Sequence, residues 1–391
     1  MTSPGIKQTN ESDSLMASEK YVPFLKKNGR YIYVKHSSKC PVFNGREFDN
    51  AGVFNEDFAV VGINGKSGFI NREGDVAIPF IYDSASDFSE GLAGVEIDDR
   101  YGFINKKGDV IVPILYDNVS DCYDGYVQVE LDRLFGINDS NGKEIYPPIS
   151  MEVVIFFEDM AHISDTAGYN HGFIDITGKV VIPKIYYSAG DFSCGLAPVQ
   201  WQDKWGFIDR EMNVKIPYTY STAYNFKEGI SGVQLKNKWG FINVEGDVVI
   251  PLKYDKLTDY YRFMSEEMIG VMNGKYCGFI NKMGEETVPL KYELTKHFSE
   301  GMAGIKLKNK WGFVDTNGRE VVPPRFEYIG FFSDNITWFL QDKKEGYIDL
   351  EGNIIIPPKY KRAGCFENGL ARVELDGQSF YIDKLGREYK E

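Results

Sequence analysis

The most reactive side chains in this sequence are four histidines and five cysteines, and their placement decides what they could do. His36 follows a strand-like run, His162 lies inside another, His171 stands just before a glycine and His297 just before a phenylalanine. These are four unrelated contexts. Nothing in them predicts that any two histidines meet, and packing or surface roles are expected rather than a ligand set or a general base. Cys40, Cys122, Cys194, Cys277 and Cys365 are odd in number, far apart and never arranged as CxxC. That argues against a disulfide framework and a zinc site, and buried small hydrophobes are the expectation. Asp139-Ser140-Asn141-Gly142 and Asp315-Thr316-Asn317-Gly318 resemble calcium loops, but neither is followed by a bidentate glutamate, and Asn-Gly is a hairpin-turn signal in its own right. No glycine run leads from a strand into a helix, so a phosphate-cradling loop is not expected. The sequence therefore offers no catalytic, cofactor-binding or metal-binding residue, and the chain reads as a non-enzyme.

The elements that would position a binding surface are set by an internal repeat. A glycine followed by an apolar pair and Asn or Asp recurs at Gly68, Gly102, Gly136, Gly172, Gly206, Gly240, Gly278, Gly312 and Gly346, with intervals of 34, 34, 36, 34, 34, 38, 34 and 34 residues. Eleven positions after each glycine stands a proline, from Pro79 and Pro113 through to Pro323 and Pro357. Six positions after it stands a second glycine, with Met212 the exception; fourteen after it stands an aromatic, with Ser150 the exception. Weaker copies flank the series around Tyr31-Ile32-Tyr33-Val34 and at Phe380-Tyr381-Ile382-Asp383, which gives ten repeats plus a closing strand.

Within a unit the runs KWGFIN and VVIPLKY are of strand length with a glycine turn between them, and segments such as DFSEGLAGVEI supply another strand. Three strands per unit, possibly four, are predicted, and helical periodicity of useful length is missing. Each constant residue has a structural reason. The anchor glycine suits close approach by another backbone or a positive φ, the second glycine suits a tight hairpin, and the proline should end a strand or lie on an edge.

The words Lys204-Trp205-Gly206-Phe207-Ile208-Asp209, Lys238-Trp239-Gly240-Phe241-Ile242-Asn243 and Lys310-Trp311-Gly312-Phe313-Val314-Asp315, each followed by the VxIP element, resemble the WG (KWG) repeat family. The resemblance covers roughly residues 28 to 391. It implies a bacterial-type, all-β, propeller-like toroid and offers no catalytic residues to carry over. The tryptophan is replaced by Ser67, Tyr101, Phe135, His171, Cys277 and Glu345 in the other units. A unit of about 34 residues is short for a four-stranded blade, so an open β superhelix with capped ends stands as the alternative.

Residues 1–20 are polar and are expected to form a disordered tail before a single array over 21–391. They lack the apolar stretch of a leader, and no run approaches the length of a membrane span, so a cytoplasmic location is expected. The formal net charge of −13 and the scarcity of basic runs speak against nucleic acid as a partner. A binding scaffold for a protein partner is the first expectation. Carbohydrate or small-ligand binding through exposed aromatics is the second. The candidates for a binding face are aromatics that break the repeat, namely Trp201, Phe331 and Trp338, together with the segment at the longest interval. That segment, residues 259 to 268, carries the predicted partner-binding residues Tyr260, Tyr261, Arg262, Phe263 and Met264, because insertions in repeat arrays map to loops on one face.

Overall fold

The computed structural model describes residues 20–258 and 264–390. Its elements are strands, apart from one turn of 3-10 helix at Phe43–Gly45. Among the described residues the strands make nine antiparallel four-stranded sheets, one of five strands and a two-stranded hairpin. The second sheet serves as the pattern. Ser84–Ala85, Leu92–Ile97, Arg100–Asn105 and Val110–Tyr116 pair in chain order, each strand beside the next. The fourth strand of the expected unit is thus real, and it is the two-residue piece that follows the repeat's aromatic.

The turns follow from residue type. Ser89 and Leu92 bridge across Glu90-Gly91, whose φ values of 52° and 82° make a two-residue hairpin with both central residues left-handed. The anchor glycine answers a different demand. A Cβ on Gly102 would lie 2.5 Å from the Val112 carbonyl oxygen and 2.7 Å from that of Pro113. Close approach, not positive φ, is therefore what excludes a side chain there. The proline sits inside the outermost strand rather than at its end: the register between Arg100–Asn105 and Val110–Tyr116 shifts across Pro113, and this bulge turns the carbonyls toward the glycine.

Neighbouring sheets are joined by a recurring aromatic pair. The ring after the anchor glycine in one unit meets the recurrent phenylalanine of the next at 4.8–4.9 Å in Phe69–Phe88, Phe173–Phe192, Phe207–Phe226, Phe279–Phe298, Phe313–Phe332 and Tyr347–Phe366. Each such pair contributes about 0.5–1.5 kcal/mol beyond the area it buries. The pair is broken where Phe103 faces Cys122 and where Ile137 faces Phe156.

The array closes on itself. Leu25 bridges Lys390, Tyr31 donates from its hydroxyl to the Ser379 carbonyl at 3.0 Å, and the Tyr389 hydroxyl and His36 Nδ1 are 2.8 Å apart. Val22, Ile32, Val34, Leu370 and Tyr389 form one buried cluster across this seam. On its other side the hairpin joins the first sheet, with the Tyr33 hydroxyl on the Gly52 carbonyl at 2.7 Å. The molecule is a ten-bladed propeller ring, and the open superhelix is excluded. The closing piece is not the C-terminal strand expected from sequence. Gln378–Asp383 is the third strand of a complete tenth sheet, and the incomplete unit is the N-terminal hairpin, Tyr21–Leu25 with Tyr31–Lys35. The expected tail at 1–20 lies outside the described residues except for Lys20.

Candidate functional site

Of the residues predicted to bind a partner, Tyr260, Tyr261, Arg262 and Phe263 lie outside the described residues. Met264 opens the two-residue strand Met264–Ser265, where its backbone pairs with Ile269. The two stems of this insertion are fixed to the next unit: the Thr295 and Thr258 hydroxyls are 3.2 Å apart, and Phe298 donates its amide to Ser265 Oγ at 2.9 Å. Between those contacts the strand Leu294–Ser299 carries a bulge that holds Lys296 and His297.

Phe331 and Trp338, two of the aromatics singled out for breaking the repeat, gather around this bulge. His297 stacks on Phe331 with centroids 4.2 Å apart, and Tyr328 stacks on Trp338 at 5.9 Å. Lys296 Nζ lies 4.1 Å from the Tyr328 ring centre, 5.0 Å from that of Phe331 and 5.2 Å from that of Trp311, and donates to the Ile329 carbonyl at 2.6 Å. Burial pulls its ammonium down to about 8. This aromatic cluster is filled by the chain's own cation. Trp201 stands apart from it, edge-on to Tyr186 at 6.0 Å.

Two histidines that sequence gave no reason to join are in contact. His162 Nε2 and His171 Nδ1 are 2.7 Å apart on adjacent strands, where Ile163 pairs with Gly172. Burial holds both imidazoles below their ordinary range, with His162 pushed down to about 3. Each strand is regular, so the meeting follows from hairpin register alone. The cysteines divide: Cys122 and Cys277 are buried as expected, whereas Cys40, Cys194 and Cys365 are exposed. Cys194 is exposed because it occupies the first left-handed position of a hairpin turn, with φ of 55°. The two calcium-like segments are turns that use their own carboxylates. Asp139 Oδ1 accepts from the amides of Asn141 and Lys143, and Asp315 Oδ1 from those of Asn317 and Arg319.

The open site lies elsewhere, at the junction of the third and fourth sheets. A cavity of about 440 Å³ is lined there by Asp121, Tyr123, Asp124, Tyr126, Gln128, Ile155, Phe156 and Phe157 among others. Its origin is visible in the sequence. Cys122 stands where other units have phenylalanine, Ser120 stands where the eighth unit has Lys296, and the interval into the fourth unit is 36 rather than 34. Tyr126 and Phe156, 4.8 Å apart, form an aromatic wall, while Tyr123 and Phe157 are 76% and 44% exposed.

The carboxylates of this groove are also unusual. In several other units the acid at the first left-handed position of the hairpin turn caps the next unit's turn. Glu56 accepts from Gly91, Glu90 from Asp124 and Gly125, Glu266 from Gly301, Glu300 from Asn335 and Asp334 from Gly369. Asp124 occupies the same register, yet among the described residues no hydrogen bond or ion pair reaches its carboxylate or that of Asp121. The lining holds these two acids and no Lys, Arg or His. An exposed aromatic platform edged by unengaged carboxylates can hold a flat or cationic group, but it lacks a nucleophile placed beside a base.

Among known proteins, no curated protein matches the chain. Of solved structures, a eukaryotic initiation factor aligns over 95% of both chains at 9% identity, with a TM-score of 0.46. The dihydro-heme d1 dehydrogenase NirN in complex with DHE aligns over 69% of this chain and 71% of its own, at 14% identity and a TM-score of 0.35. KlHsv2 with loop 6CD replaced by a Gly-Ser linker aligns over 64% of this chain and 88% of its own at 9% identity, with a TM-score of 0.35. The family model described as a WG containing repeat matches residues 46–66, 68–101, 101–134, 172–204, 205–239, 239–277, 278–311, 311–344 and 346–378. With nine matches, none of them over residues 135–171, on a ring in which nine sheets carry the same glycine and proline, the chain belongs to the WG-repeat family.

Proposed function

We propose that this protein is a non-catalytic binding scaffold that holds a protein partner in the groove between its third and fourth sheets. The observation that carries the reading is the exposed pair Tyr123 and Phe157 on a cavity of about 440 Å³, beside two carboxylates that the fold does not use. Aromatic anchors in a groove are the usual core of a protein interface. A cytoplasmic setting belongs to the same proposal, supported by five cysteines that are all free thiols. No helix among the described residues is long and apolar enough to cross a membrane.

Affinity capture from the native host tests the reading with three baits: the wild type, a Tyr123→Ser/Phe157→Ser variant and a Tyr328→Ser/Phe331→Ser control. Loss of one stoichiometric protein from the first variant alone supports it; retention of that protein by the first variant contradicts it. The second reading, a carbohydrate bound on the same aromatics with its hydroxyls on Asp121 and Asp124, would be favoured instead by a glycan-array signal abolished in the same variant.

A further inference from the structure

Resting on that reading, we infer that the partner presents a Lys or Arg side chain to the groove, held between Tyr123 and Phe157 and paired with Asp121 and Asp124. Charge complementarity carries the argument. Acids and aromatic rings line the groove without a basic residue, and neither carboxylate is neutralised from within the described chain. The molecule itself supplies the comparison. At the junction of the eighth and ninth sheets, Lys296 fills the space between units and lies over Trp311, Tyr328 and Phe331. At the junction of the third and fourth sheets the same register carries Ser120, as the second unit carries Ser86, and no Lys, Arg or His lines the groove, so a cation there would come from a partner.

An ammonium or guanidinium gains on both sides of such a site, from the ring faces and from the acids. A neutral segment would gain only from the rings, and an acidic one would be repelled. The chain's net charge of −13 adds long-range attraction for a basic partner and accelerates its approach.

The test uses fluorescence anisotropy on the full chain with three labelled Gly-Ser nonapeptides, carrying two arginines, two glutamines or two glutamates around a central phenylalanine. The arginine peptide is expected to bind at least about tenfold more tightly than the glutamine one. That advantage should disappear in Asp121→Asn/Asp124→Asn and persist in Glu351→Gln/Glu211→Gln, two exposed acids elsewhere on the ring. It should also shrink as salt rises. Unfolding midpoints of the variants equal to the wild type exclude a folding artefact. Equal binding of all three peptides, lost in Tyr123→Ser/Phe157→Ser, overturns the cationic partner and leaves the groove reading standing. Binding of no peptide, or binding that neither pair of substitutions changes, overturns both.

Discussion

Glu90 reaches out of its own sheet to hold the next one: its carboxylate accepts hydrogen bonds from the amides of Asp124 at 2.9 Å and Gly125 at 2.7 Å. Glu90 itself stands at φ of 52°, in a left-handed position that glycine or asparagine would adopt with less strain. The inter-unit bonds offset that cost. Glu90→Ala is therefore expected to destabilise the ring by about 1 kcal/mol, a charged hydrogen-bond pair discounted for its exposure to water. Chemical denaturation checks this, with Glu73→Ala, an exposed acid on a turn, as the reference.

The same contact sets an acid limb of stability. The Gly125 amide in particular holds the Glu90 carboxyl below its ordinary range. A depressed carboxylate binds fewer protons folded than unfolded, so its stabilisation is complete above the unfolded value and is lost as pH falls through the folded one. Denaturation midpoints measured from pH 6 to pH 3 should fall less steeply in Glu90→Gln than in the wild type.

The His162–His171 pair acts at higher pH. Both imidazoles are held below their ordinary range by burial, so the unfolded chain binds more protons as pH drops below about 6.5. Stability is full above that value and declines beneath it. The double variant His162→Val/His171→Trp, which places at position 171 the residue found at Trp205, Trp239 and Trp311, should show a flatter midpoint between pH 7.5 and pH 5.5.

Two glycines separate close approach from conformation. Gly102→Ala drives a Cβ into the Val112 and Pro113 carbonyls and is expected to cost about 3 kcal/mol. Gly91→Ala meets nothing within 4 Å and has only its φ of 82° against it, so about 1 kcal/mol is expected. Equal losses for the two in urea titrations would contradict this division.

Much of the fold was legible because each repeat residue answers a local demand. The bulge at Pro113 and the contact on Gly102 are encoded by residue type, and they recur with the period. The two-residue strand Ser84–Ala85 was not legible, since a strand so short carries no alternation to detect. Closure was implied by the family resemblance and not by any single unit: Tyr31 and Ser379 meet only because successive sheets rotate round the ring, a property of packing.

The groove leaves marks in the sequence that are subtler than the longer insertion. Cys122 in place of phenylalanine, Ser150 in place of an aromatic and the 36-residue interval all fall within two adjacent units. Their shared location is the readable sign. That Asp121 and Asp124 would be left without partners depends on how one sheet leans on the next, which the sequence does not state. Phe331 and Trp338 do break the pattern, but their cluster is filled by Lys296, and only the side-chain geometry reveals that.

The groove between the third and fourth sheets is the proposed docking site of the partner. Photo-crosslinking tests it most directly, with p-benzoylphenylalanine placed at Tyr123 or, as a control, at Tyr276, which is 43% exposed on the seventh sheet. Illumination in host lysate should give one protein adduct at position 123 and none at 276, with the crosslinked partner segment bearing a Lys or Arg. An adduct formed equally at both positions, or at 276 alone, would contradict the account.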